Sequence, residues 1–308
     1  MSSITAAAWS RHAARRSDCT PYTGACRIAF AQRGNLAHNS PMADFSSKSP
    51  EVDAPEQQME FEHPLTERIR TFLRIELLNQ QACFHADDTS ELGARAALSS
   101  LLDILNLFRR GDVRMEVIKE LETQRNILAS YIREPDVDRE LLEGNLENIK
   151  ALQSRIGDSG TVFPNLLKES PFLFNINHRS SIPGGTCTFD LPDYGYWLKL
   201  PHEVRGKQYR EWLESFAPIS DAVSHILWLI RQNSQPMKRT VESGLYQTNL
   251  QGDARPRLIR VLLPVAGGIY PEISAGKQRF TLRFVHWRGT DVRPVQVQEP
   301  VTFLLALC

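Results

Sequence analysis

The sequence predicts an α+β protein, with an N-terminal antiparallel helical bundle packed on a β-rich domain built from two discontinuous segments. Three observations predict it. Apolar residues recur at helical spacing in four consecutive stretches between Leu65 and Ile156, joined by short polar connections. After Pro236 the pattern changes to short apolar runs, RPRLIRVLLP, KQRFTLRFVHW and EPVTFLLALC, parted by Gly267, Gly268, Gly276, Gly289 and Pro294. Within KQRFTLRF the residues alternate, with Arg279, Thr281 and Arg283 on one strand face and Phe280, Leu282 and Phe284 on the other.

Residues 1–58 read as a disordered extension, rich in Ala, Ser, Arg and Pro and without apolar periodicity. Their first forty residues resemble a targeting segment in composition. Met42 and Met59 each stand ahead of a workable start, so part of the stretch reads as an over-long gene call or a dispensable extension instead.

The helical domain spans 59–170 and is completed by 203–234. Pro64 suits a first helical position, followed by the stripe Leu65, Ile69, Phe72, Leu73 and Leu77. A second helix starts near Asp88, with Asp88 and Glu91 as a capping box, and stops at Gly111. Asp112 caps a third, with Val117, Leu121, Leu128 and Ile132 along one side until Pro135. A fourth runs from about Asp138 to Gly157, with Leu142, Leu146, Ile149, Leu152 and Ile156 inward.

The β-rich domain takes 171–202 and 235–308. In RSSIPGGTCTFDLP the prolines and glycines break the helical pattern and TCTFD alternates as a short strand, which needs the C-terminal strands as partners. Between these parts the chain returns to helix, from Pro201 to about Phe216 and again after Pro218.

The formal net charge is zero, but cations dominate from Pro236 to Arg293, including Lys277, Arg279, Arg283, Arg288 and Arg293. Five scattered cysteines argue against a disulfide framework and fit a reducing compartment. No apolar run reaches the length of a membrane span, and VTFLLALC reads as a final strand. These features predict a soluble cytoplasmic protein.

No catalytic constellation emerges. Cys83 and His85 lack a second ligand pair at zinc spacing, so no metal or other cofactor is expected. Gly276, Lys277 and Gln278 resemble the end of a phosphate loop, but Pro271 and the missing Ser or Thr break the motif. SIPGG reads as a tight turn, and His225 as a packed core residue. The positive signal is the cationic strand face. A strand of period two cannot bury the Arg279 and Arg283 guanidinium groups without burying every neighbour on that side, so Lys277, Arg279 and Arg283 face water or an anion. Paired arginines suit carboxylate and phosphate alike. An acidic peptide and a nucleic acid are therefore both open. The second is weakened because Phe280 and Phe284 lie opposite the arginines.

FEHPLTERIRTFLRIELL, LFRRGDVRMEVIKELE, RSSIPGGTCTFDLP with YWLKLP, GLYQTN and GIYPEISAGKQRFTLRF together resemble the Z-ring-associated protein D family, from about Glu60 to Cys308. The resemblance implies a non-enzymatic bacterial cytoplasmic protein at the mid-cell division site, a symmetric homodimer of helical and β-rich domains with no small-molecule substrate. It implies binding to the C-terminal tail of the tubulin-like protein FtsZ and cross-linking of FtsZ filaments in the Z ring. The family's tail-binding arginines fall at Arg110, Arg279 and Arg283, and Lys277 is expected beside the last two. Where family members often carry a second Cys, a His ahead of the Trp and a His before the Lys, this chain has Thr186, Gly195 and Gly276, and the last removes a cation from the face. An extended or helical tail is expected on the arginine face, with Arg110 bordering the same cleft and the helical flank forming the dimer. A nucleic-acid-binding module is the competing reading, and an inert scaffold for an unknown acidic partner is a third.

Overall fold

The computed structural model describes residues 57–134, 137–159, 165–166, 169–250 and 256–308, and its first element is a strand, β1 (Gln58–Pro64). The expected extension over 1–58 therefore lies outside the described residues except at Gln57 and Gln58, and Gln58 already belongs to β1. Pro64 ends this strand instead of opening a helix. Val265 N–H donates to Gln57 O and Leu65 N–H to Arg257 O, so the odd-numbered residues carry the ladder and Pro64 points its missing donor to the free side.

The helices follow from their caps. Thr66 Oγ1 accepts from Ile69 N–H at 3.2 Å and opens α1 (Glu67–Ala86). Its buried line is Ile69, Phe72 and Ile75, while Leu77, expected inward, is 55% exposed. The next helix, α2 (Glu91–Arg110), is capped by Ser90, not Asp88. The Asp88 carboxylate instead accepts from Ser90 N–H at 2.8 Å, which holds its pKa below the usual range. Asp112 caps α3 (Val113–Ser130). A 3₁₀ turn (Tyr131–Arg133) then swings Ile132 to the surface, short of the inner face predicted for it. Asp138 caps α4 (Arg139–Asp158), whose inward residues Leu142, Ile149, Leu152 and Ile156 are buried and Leu146 half-buried.

Residues 171–202 depart from expectation. They form α5 (Pro171–Ser180), a run of turns and α6 (Pro192–Lys199), and TCTFD is not a strand. Successive local hydrogen bonds, Ile182 N–H to Arg179 O, Gly185 N–H to Ile182 O, Cys187 N–H to Gly184 O and Asp190 N–H to Cys187 O, occupy the backbone groups a sheet would need. Leu173, Ile176, Leu191, Tyr194, Trp197 and Leu198 join the helical core. The outlying segment of the β part is β1 instead. Pro218 likewise breaks nothing: α7 (His202–Gln232) is continuous through it, since Phe216, Ile219, Ala222 and Val223 on both sides are buried and packing outweighs one lost backbone bond.

The remaining strands are β2 (Met237–Val241), β3 (Leu245–Asn249), β4 (Leu258–Pro264), β5 (Ile269–Ala275), β6 (Arg279–His286), β7 (Val295–Gln296) and β8 (Val301–Leu307). β4, β6 and β8 coincide with the three predicted runs. One antiparallel sheet has the order β1-β4-β8-β2 and the second β3-β6-β5, with β7 pairing antiparallel beside the end of β6. Ile259, Val261, Phe303 and Leu305 of the first sheet meet Phe280, Leu282 and Phe284 of the second in a shared core. The other face of the first sheet touches the helices at Leu258 and Cys308.

Two ionic knots fasten sheet to helices. Arg231 of α7 donates to Glu62 of β1 and Glu76 of α1 through four hydrogen bonds of 2.7–2.8 Å. Arg260 of β4 pairs with Glu60 and Glu62 and donates to Arg231 O at 3.0 Å. Arg257, just before β4, pairs with the buried Glu120 of α3, which also holds Arg68 of α1 at 3.0 Å. With every charge partnered, both knots tolerate partial burial and fix how the sandwich sits on the helices. Among the described residues no helix is long and apolar enough to cross a membrane.

Candidate functional site: the outer face of the three-stranded sheet

The β5–β6 hairpin and β3 set the geometry of the site. Leu245 pairs with Arg283, Gln247 with Thr281 and Asn249 with Arg279 across β3 and β6; Glu272 pairs with Arg283 and Ser274 with Thr281 across β5 and β6. Directly opposed residues share a face. The outer face thus reads in rows, Leu245–Arg283–Glu272, Gln247–Thr281–Ser274 and Asn249–Arg279–Gly276, with Lys277 at the hairpin tip. Phe280, Leu282 and Phe284 project the other way and are fully buried.

Arg279, Arg283 and Lys277 are exposed, as the alternation requires. Their electrostatic settings differ. Arg283 is tied to Glu272, with Nη2 2.6 Å and Nε 2.8 Å from Oε2. Arg279 and Lys277 have no ion-pair partner among the described residues, and Gly276 opposite Arg279 leaves the β5 side of that row without a side chain. Among the described residues the face therefore offers two cations without an ion pair and a third held by a carboxylate that competes with any incoming anion.

The structure brings Lys277, Arg279 and Arg283 onto one hairpin. Arg110 is exposed in the last turn of α2, where its charge complements the helix dipole, and no hydrogen bond or ion pair among the described residues joins it to the sheet.

The sequence reading stopped the alternation at Phe284 and so missed residues further along. Trp287 N–H donates to Gly268 O, which continues the β5–β6 ladder and puts Trp287 on the same outer face as Arg283. Trp287 is 63% exposed, and its ring meets Tyr270 edge-on with centroids 6.5 Å apart. With Leu245, 47% exposed, these residues give the face an apolar end and a basic end. The odd positions Val285 and Trp287 carried the signal. Glu272 was missed because its pairing depends on the hairpin register.

At the apolar end of the site, Gly244 precedes β3 with φ +65, and a Cβ there would lie 2.4 Å from Val297 O, so only glycine fits.

A protein-family model described as ZapD, cell division protein, matches residues 73–283. Curated proteins named Cell division protein ZapD from Escherichia coli (strain K12), Shigella dysenteriae serotype 1 (strain Sd197) and Shigella sonnei (strain Ss046) are each 38% identical over 251 residues. Each alignment covers 82% of this chain and 99% of the relative.

Proposed function

Because the chain belongs to the ZapD family of cell division proteins, we propose that it binds the acidic C-terminal tail of FtsZ on the outer face of the three-stranded sheet. As a homodimer it would then cross-link FtsZ filaments at the mid-cell division site. The observation that carries this reading is the arrangement of Lys277, Arg279 and Arg283 on one exposed hairpin beside the apolar residues Leu245, Tyr270 and Trp287. That surface suits a peptide bearing both carboxylates and apolar side chains. Arg110 is assigned to the tail as a second contact from the helical part.

Bundling needs two tail sites per particle, since a monovalent binder coats filaments without joining them. Dimerisation through the helical flank provides them. Leu77 and Phe84, seven residues apart on α1, stand 55% and 71% exposed and support that choice. The family is one of cell division proteins, not of known enzymes, and the function proposed is a binding one.

The test is charge reversal. Arg279→Glu with Arg283→Glu is expected to abolish FtsZ bundling while circular dichroism and the thermal melt stay unchanged. FtsZ pelleting by this variant at the unaltered level overturns the assignment of the surface. A second reading, contact with nucleic-acid phosphates, draws support from Trp287 exposed on the cationic face. FtsZ lacking its tail separates the two, because tail deletion has no bearing on nucleic-acid binding.

A further inference from the structure

The two sheets have four outer strands, and three of them carry devices against further pairing. On β1 the outward positions include Pro64, and Glu60 and Glu62 are held by Arg260 and Arg231. β2 presents Lys238 and Arg239, both exposed. On β5, Gly276 N–H donates to Arg279 O and Trp287 N–H to Gly268 O, so the even-numbered residues bond to β6 and the odd ones face outward. Pro271 is odd and removes a donor from that edge.

β3 has neither proline nor charge. Phe284 N–H donates to Gly244 O and Leu250 N–H to Gln278 O, so Tyr246 and Thr248 carry the ladder to β6. Leu245, Gln247 and Asn249 turn their N–H and C=O groups away from the sheet, and among the described residues no hydrogen bond reaches them. These same residues have their side chains on the outer face, beside Arg283, Thr281 and Arg279. A strand added to β3 would lie two strand spacings from β6, about 10 Å, within reach of an arginine and a glutamate extended towards each other.

We propose that the β3 edge, at Leu245, Gln247 and Asn249, is a strand-addition site for an extended acidic peptide, whose backbone pairs with β3 and whose carboxylates meet Arg279 and Arg283 across it. The proposal rests on the tail-binding reading and specifies its mode, with backbone bonds giving affinity and the cationic face giving selectivity. Charge complementarity chooses the occupant, since this open edge adjoins the cationic face.

The experiment uses the full chain and a fluorescein-labelled synthetic peptide of the FtsZ C-terminal tail, read by anisotropy and by amide hydrogen exchange. Gln247→Pro deletes one outward donor without touching the ladder to β6, and is expected to weaken binding more than tenfold. Gln247→Ala should stay within twofold. In the unaltered protein the peptide is expected to slow exchange at Leu245, Gln247 and Asn249, a readout that stands even if the proline variant misfolds. If Arg279→Glu abolishes binding but Gln247→Pro and the three amides show no response, strand addition is overturned and the tail reading survives. No peptide binding by the unaltered protein overturns both. Protection of the three amides that grows with protein concentration, without peptide, assigns the edge to a second copy of the chain and also overturns the proposal.

Discussion

Glu272 sits on the proposed binding face and holds Arg283 at 2.6 Å, so an acidic peptide must displace it to reach that guanidinium. Glu272→Gln therefore should tighten tail binding, although it removes an ion pair. Both side chains are a little over 40% exposed, which puts the pair in the range of about 0.2–1 kcal/mol measured for surface ion pairs. Releasing Arg283 and removing a like charge from the peptide's path is thus worth about 0.5–1 kcal/mol, a two- to fivefold lower Kd. Fluorescence anisotropy with a labelled FtsZ tail peptide at near-physiological salt reads it, and the gain should shrink as salt rises. In an Arg283→Ala background the gain should fall, because the released guanidinium is absent. An unchanged or higher Kd for Glu272→Gln refutes the reasoning, and would mean that Glu272 holds Arg283 in its binding position.

Arg231 is raised in pKa despite the opposing effect of burial, because Glu62 and Glu76 bond its charged form. Arg231→Met strands Glu76 and leaves Glu62 with Arg260 alone, both carboxylates being only 18% exposed, and should cost about 2–4 kcal/mol by urea unfolding at constant slope. A loss under about 1 kcal/mol contradicts that role. His225, stacked on Trp228 and beside Asn148, has its pKa pushed down to about 4 by burial. The folded state thus resists protonation: the stability it confers is present above pH 6.5 and is lost as pH falls towards 4, by at most about 3 kcal/mol. His225→Gln should flatten that part of the stability profile, and an unaltered slope contradicts it.

The cationic face was legible because a period of two appears within a single strand and needs no tertiary knowledge: Arg279 and Arg283 alternate with Phe280, Leu282 and Phe284 on residues that the structure exposes and buries in turn. The cap at Asp112 was legible for the same local reason, as was the start of α4 near Asp138. What failed was decided elsewhere in the chain. QMEFEHP is polar enough to hide β1, which exists because β4 supplies its ladder some two hundred residues away in sequence. LYQTN gives no apolar run, and β3 forms on the partner β6 after the turn at Gly244. TCTFD has strand composition but spends its backbone bonds on local turns, and Pro218 is overruled by the packing on either side of it. Glu272 required the register of the β5–β6 hairpin, which no periodicity encodes.

The most direct test is co-sedimentation of the full chain with polymerised FtsZ, full-length and without its C-terminal tail, in parallel at near-physiological salt. The account predicts pelleting and bundling with the full-length polymer alone. Equal pelleting with both polymers, or with neither, contradicts it.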